Sequence, residues 1–156
     1  KLGEWAVKNS HIANLNRAIL SLSRTEEYRS DVLLLKSEPG ISTLTAMILL
    51  TELSDISRFS SLDKLASYAG SVPDIKSSGE TEYATGITFR RNPALRALLI
   101  ESSWVSVRKD PAMTMAFNKL SARMKKTQAI VHIARKLLNR IRFVLKNRQA
   151  YVSAVV

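Results

Sequence analysis

The segment into which Lys126-Thr127-Gln128 leads carries the pattern that most constrains the fold of this chain. Its apolar residues recur every three or four positions, as on one face of an α-helix: Ile130, Ile133, Ala134, Leu137, Ile141 and Val144. Basic residues occupy the rest of the circumference: Arg135, Lys136, Arg140, Arg142 and Lys146. Such a helix can also lie on an anionic membrane or bind a partner protein. A domain this small needs every apolar face for its core, so we expect the stripe to be buried.

Helix-start signals predict further helices. Asn92-Pro93 and Asp110-Pro111 each combine an N-cap side chain with a proline at the first helical position. Ser60 or Ser61 is placed to cap another helix that Gly70 terminates. The sequence therefore predicts a mainly α fold, a helical domain in which helices follow one another through short turns.

A Pro39-Gly40 turn separates two apolar segments, residues 28–36 and 42–52, and we expect the second to turn Leu44, Ile48 and Leu49 inward. The arrangement resembles a helix-hairpin-helix element, in which a glycine lets the backbone approach closely and helix N-terminal amides point at a phosphate. Gly40 and Ser42 are then candidate nucleic-acid contacts. A plain turn between two helices would produce the same pattern.

The N-terminal segment has heptad spacing at Trp5, Ile12, Leu15, Ile19 and Leu22, which predicts a coiled-coil-like helix. Such an apolar stripe is equally consistent with packing on its own domain and with pairing to a partner helix. We divide the chain into this connecting helix at 1–27, a main domain at 28–148 and a tail at 149–156. Because the chain opens on lysine in mid-helix, we expect it to be part of a longer protein.

Helical periodicity is lost from residue 71 to 89, where glycines, a proline, paired serines and β-favouring residues predict a long loop or a short β-hairpin. Such a long connection usually carries function. Ser78, followed by Gly79, brings a hydroxyl close in sequence to Arg90, Arg91 and Arg96. Guanidinium groups can hold phosphate oxygens bidentately, so this region is our candidate for chemistry on a phosphodiester.

The basic charge is regional. Residues 1–84 carry nine Lys and Arg against eleven Asp and Glu, whereas residues 85–156 carry fifteen against two, and the whole chain has a net charge of +11. A field of this sign favours a polyanion, most often nucleic acid. Beyond the residues named above, the candidate contacts are Asn92, Lys125, Lys126, Arg135 and Arg140.

Several classes of site are disfavoured. The chain has no cysteine, which removes disulfides, thiol nucleophiles and thiolate zinc sites and fits a reducing cytoplasm. His11 and His132 lack ligand spacing, so we expect no metal or cofactor within this chain. The longest apolar run, residues 46–50, is far shorter than a membrane span, so we expect a soluble protein without a membrane partner.

The order of short motifs along the chain resembles the C-terminal transposase domain of the IS110 insertion-sequence family over roughly residues 30–147. The motifs are Pro39-Gly40-Ile41, residues 55–59 and 65–70, Pro73 with Ser78-Gly79, Gly86-Ile87-Thr88, Asn92 with Leu95-Arg96, Trp104, residues 108–111 and residues 134–138. Each is weak alone, whereas their common order and spacing are specific.

The resemblance implies a transposase or recombinase in which Ser78 is the catalytic nucleophile. It further implies a RuvC-like N-terminal domain that binds magnesium, a structured guide RNA, a homo-oligomer, and a bacterial or archaeal cytoplasmic, nucleoid-associated protein. This chain departs from the family pattern at Glu80 and Glu82, which occupy a stretch that is often basic, at Phe89, where lysine is frequent, and at Arg91, where glycine is frequent.

Two other functions stay open at this point. A helix-hairpin-helix DNA-binding module without catalysis would explain the turn and the charge, and a protein-interaction module would explain the heptad helix. Salt-dependent nucleic-acid binding separates the interaction module from the other two, and a covalent DNA adduct separates the transposase from the binding module.

Overall fold

The computed structural model describes residues 1–70, the backbone of two strands at 75–78 and 81–84, and residues 92–153. The fold is mainly helical, as predicted. Its elements are α1 (Leu2–Leu22), α2 (Glu26–Lys36), α3 (Thr43–Leu53), a 3-10 turn (Ile56–Arg58), α4 (Leu62–Tyr68), β1 (Ile75–Ser78), β2 (Thr81–Ala84), α5 (Pro93–Lys109), α6 (Pro111–Ser121) and α7 (Lys126–Asn147). The two strands pair antiparallel.

The central helix is α7, which packs against α2, α4, α5 and α6. Its predicted apolar stripe is confirmed, because all six residues of the stripe are buried. Leu95 and Leu99 of α5 and Met113 and Phe117 of α6 complete the core beside it. Burial of the stripe follows from the helical spacing alone, since a small domain gains most of its stability from such faces.

The predicted helix starts are confirmed by cap hydrogen bonds. The Asn92 side chain accepts from the N–H of Leu95 at 3.0 Å, and the Asp110 side chain accepts from the N–H of Ala112 at 3.1 Å. Of the two serines considered for α4, Ser61 is the N-cap. These residues fold locally as expected because their caps depend only on neighbours three or fewer positions away.

The prediction for α3 is wrong in part. Ile48, expected to face inward, is 38% exposed, whereas Ala46 and Met47 are buried together with the correctly predicted Leu49. Residues 46–50 in the middle of α3 are all apolar, so this part of the sequence has no polar face to reveal which side packs. The buried side is set by contacts with α2 and α5.

The coiled-coil-like helix is present as α1, which contacts α3. Most of its heptad stripe faces solvent, with Trp5 67%, Ile12 55% and Leu15 63% exposed. Only Ile19 packs partly against the core cluster.

Candidate nucleic-acid interface

Asn92 is the N-cap of α5. Its backbone N–H donates to the carbonyl of Tyr68, at 3.4 Å, so the end of α4 and the start of α5 lie side by side. Its side-chain amide donates to the carboxylate of Glu52 at 2.5 Å. Asn92, which directly follows residues 71–91 with Ser78 among them, therefore links α5 to both α3 and α4.

Arg58 is fixed beside the contact between α3 and α4. Its guanidinium lies over the rings of Phe59 and Tyr68, at 4.6 and 4.9 Å from their centroids. It also donates to the backbone carbonyl of Glu52 at 3.3 Å, and the Tyr68 hydroxyl donates to the same oxygen at 3.2 Å. Stacking on two aromatic faces holds an exposed positive charge in one place. Sequence reasoning missed Arg58 because its stacking on Tyr68 joins residues ten positions apart.

The predicted nucleophile Ser78 is the last residue of β1. In the register of the two strands it is opposite Thr81, and its neighbour Ser77 is opposite Glu82. Arg90 and Arg91, predicted to clamp phosphate, lie outside the described residues. Arg96 is half-buried in the first turns of α5 and has interactions within the protein.

The Pro39-Gly40 turn packs on α5. Gly40 has a φ of +102°, and a Cβ at this position would lie 2.5 Å from both the Ser102 carbonyl oxygen and Ser106 Oγ. The Ser106 hydroxyl donates to the Pro39 carbonyl. The close approach that glycine permits is thus made to α5, and a phosphate contact at Gly40 stays a prediction. Ser42 is exposed and caps α3, accepting from the N–H of Thr45 at 3.1 Å.

The turn between α6 and α7 gathers three exposed cations, Arg123, Lys125 and Lys126, which we call the basic turn. Within the described ranges, none of their charged groups has an ion pair or a hydrogen bond. Lys125 and Lys126 stand at the N-terminus of α7, where the helix dipole also favours an anion. Arg123, two residues before Lys125, was not among the predicted residues, although the run Arg-Met-Lys-Lys could have identified it.

The two predicted arginines of α7 are engaged within the fold. Arg135 forms an ion pair with Asp63 of α4. Arg140 forms an ion pair with Asp110, lies 3.6 Å from the carboxylate of Glu38, and stacks on the ring of Tyr151 at 4.4 Å from its centroid. The structure therefore gives Arg140 a role inside the domain, and a nucleic-acid contact by this residue stays a prediction.

Arg140 lies beside a buried carboxyl group, that of Glu38. Burial disfavours the charged form of this group. Neither carboxylate oxygen of Glu38 has a hydrogen-bond partner among the described residues. Burial raises the pKa of Glu38 to about 7, although the nearby Arg140 opposes this. Burial alone would raise the pKa of Asp110 as well. Hydrogen bonds from Arg140 and Tyr151 outweigh this effect, so the pKa of Asp110 is lowered.

Comparison with known proteins identifies the family. The model of the transposase IS116/IS110/IS902 family matches residues 32–119, more than half of the chain. The chain belongs to this family of transposases. It is 32% identical over 120 residues to the uncharacterized 43.6 kDa protein of insertion element IS110 from Streptomyces coelicolor, covering 76% of this chain and 30% of that protein.

Two further relatives are similar over shorter stretches. A putative transposase of Sinorhizobium fredii is 39% identical over 70 residues, which is 45% of this chain and 18% of that protein. The transposase for insertion sequence element IS1111A of Coxiella burnetii is 38% identical over 68 residues, 44% of this chain and 19% of that protein. The chain thus spans less than a third of the length of these relatives.

Two kinds of feature are absent from the described ranges. No three His, Asp or Glu side chains gather there in a way that could bind a metal ion. Each helix in those ranges is too short or too polar to cross a lipid bilayer.

Proposed function

We propose that this chain is the C-terminal part of an IS110-type transposase, in which it binds DNA and supplies a serine nucleophile. The observation that carries the proposal is family membership over residues 32–119, a range that contains Ser78. The basic turn supports it, since three cations without partners in the described structure are suited to phosphate oxygens.

In the proposed reaction the hydroxyl oxygen of Ser78 attacks a scissile phosphate. A bond forms between this oxygen and phosphorus, the bond from phosphorus to one DNA oxygen breaks, and the serine proton leaves to a base. The products are a phosphoserine-linked DNA end and, once protonated, a free DNA hydroxyl. Because the reverse attack is chemically equivalent, a hydroxyl on another DNA strand can displace the serine and complete an exchange.

The described residues lack a ligand set for magnesium, so we assign the metal to a RuvC-like domain expected elsewhere in the full-length protein. We assign a guide RNA to the full-length protein as well. The exposed apolar residues Trp5, Ile12 and Leu15 of α1 are suited to pairing with a second copy, which supports a homo-oligomer.

Binding to labelled duplex DNA and to a structured RNA tests the nucleic-acid part of the proposal. Affinity should fall steeply as salt rises from about 50 to 300 mM, because each neutralised phosphate releases counterions. Replacing the basic turn by Arg123→Gln, Lys125→Gln and Lys126→Gln should lower the salt slope by roughly 1 for each cation that contacts phosphate.

The matched control removes three exposed cations elsewhere, by Lys8→Gln, Arg17→Gln and Lys64→Gln. It changes the net charge equally and should weaken binding much less. Absence of salt-dependent binding by the unmodified chain would contradict the proposal, and equal losses in the two variants would show that only net charge matters.

A further inference from the structure

A cavity of about 410 Å³ lies where α1, α2 and the start of α3 meet, outside the basic turn. Its rim carries three cations, Arg24, Arg29 and Lys36, and no acidic residue lines it. Its apolar lining residues, which we call the floor, are Leu20, Val32 and the exposed Leu33, and Ser23 and Thr43 add hydroxyl groups to the lining. We call it the α1–α2 pocket.

The three cations are available to a ligand. Arg24, Arg29 and Lys36 are exposed, and in the described part of the protein none of their side chains forms an ion pair or a hydrogen bond. This is unlike Arg135, Arg140 and Arg148, whose guanidinium groups all pair with carboxylates. Three unpaired cations around one concavity repel one another, and an anion between them would relieve that repulsion.

Two of the five charged residues of α2 line the pocket, and Glu26, which precedes Arg29 by three positions on the same side of the helix, is not among the lining residues. Arg29, Leu33 and Lys36 follow one another at spacings of four and three, so they share the face that lines the pocket. Glu27 and Asp31 are four residues apart on another face, and Asp31 forms an ion pair with Arg148 at the end of α7. The local excess of positive charge therefore occurs within the half of the sequence that has a net negative charge.

We propose that the α1–α2 pocket is a second phosphodiester-binding site, which holds the backbone of a nucleic acid apart from the contacts made by the basic turn. Arginine and lysine around the rim would contact phosphate oxygens. The aliphatic floor would pack against the sugar or base of the same nucleotide. The proposal rests on the proposed nucleic-acid function and adds to it a site in the acidic half.

The test compares the chain with the pocket variant Arg24→Gln, Arg29→Gln, Lys36→Gln and with the control Lys8→Gln, Arg17→Gln, Lys64→Gln. Anisotropy is measured with duplex DNA, with a structured RNA and with a poly-glutamate peptide, across the same salt range. The pocket variant should bind one of the nucleic acids about tenfold or more weakly at low salt, with a smaller salt slope, while the control stays within about threefold. The probe that loses affinity identifies the source of the phosphodiester.

Each other outcome overturns the proposal in a distinguishable way. Equal affinities of the pocket variant and the control overturn the second site and leave the proposed function standing. No salt-dependent binding by the unmodified chain overturns both. A loss confined to poly-glutamate assigns the pocket to an acidic protein partner instead.

A charge-retaining variant separates loss of charge from loss of folding. Arg24→Lys, Arg29→Lys and Lys36→Arg together keep all three cations and should keep most of the binding. If this variant loses as much affinity as the glutamine variant, charge recognition in the pocket is refuted. Circular dichroism of all variants checks that the helices are retained.

Discussion

Gly40 shows how one residue without a side chain sets the packing of two helices. Its φ of +102° disfavours any other residue, and its Cα leaves no room for a methyl group against Ser102 and Ser106. Gly40→Ala should therefore lower the free energy of unfolding by at least about 2 kcal/mol, as overpacking and backbone strain add. Urea unfolding measures this.

Gly3 of α1 is the matched control for that substitution. A Cβ at Gly3 would meet no atom within 4 Å, so Gly3→Ala should be neutral or slightly stabilising through its better helix propensity. Similar losses from the two alanine substitutions would show that the packing of Gly40 on α5 contributes little.

Glu38 should make stability depend on pH. Its pKa is raised from 4.5 to about 7 in the folded chain, so folding favours the protonated form. The resulting stabilisation is complete below pH 4.5 and is lost as pH rises through 7, by up to about 3 kcal/mol. Urea unfolding at constant ionic strength should show stability that declines from pH 5 to 8.

Glu38→Gln keeps the shape of the side chain and removes the titration. The free energy of unfolding of this variant should be nearly constant from pH 5 to 8. Asp110, with its lowered pKa, changes the stability only at more acidic pH in both proteins. Parallel curves for the variant and the unmodified chain would assign the pH dependence to another group.

At the scale of helices and strands, local signals were sufficient for some features and insufficient for others. The caps at Asn92 and Asp110 could be predicted because each side chain bonds within three residues of itself. The bond between Asn92 and Glu52 joins residues 40 positions apart, and no local pattern encodes it. The same holds for Arg140, whose partner Asp110 is 30 positions away, so its basic character alone suggested a surface role.

The link between α3 and α5 predicts a specific order of stability among variants. Asn92→Ala removes the α5 cap and the bond to Glu52, and should lower the free energy of unfolding by about 1–3 kcal/mol. Asn92→Asp retains a cap acceptor but places a second carboxylate beside that of Glu52. Adding Glu52→Gln should restore much of the stability in that background and not in the alanine background.

A double-mutant cycle on unfolding free energies gives the coupling of the two side chains directly. A coupling energy near zero would mean that their short contact contributes nothing to holding α3 and α5 together. In that case the Asn92 side chain would not hold the start of α5 against α3.

At the scale of the whole molecule, the charge difference between the two halves of the sequence does not divide the fold in the same way. Arg135, Arg140 and Arg148 belong to the basic half, but each pairs with a carboxylate. The α1–α2 pocket, in contrast, places three unpaired cations in the acidic half. Which charges are free depends on tertiary contacts, so the sequence predicts the surplus of basic charge but not which cations lack a partner within the fold.

Chemistry at Ser78 should require more of the transposase than this chain contains. A serine hydroxyl is a weak nucleophile, and the described residues hold no carboxylate cluster for a metal. We therefore expect the 156-residue chain to bind DNA without cutting it. In the full-length protein, supplied with magnesium and the proposed guide RNA, Ser78→Ala should abolish the covalent protein-DNA adduct while binding changes little, since only a hydroxyl group is lost.

Ser77→Ala is the matched control, because it removes the same group one residue earlier in β1. Adduct formation, followed as a denaturant-resistant complex with labelled DNA, should persist in this variant. An adduct that survives Ser78→Ala would refute the assignment, and one lost only with Ser77→Ala would move the nucleophile by one residue. Loss of the adduct in both variants would indicate that adduct formation requires the local structure of β1. Circular dichroism and DNA binding of each variant would test this.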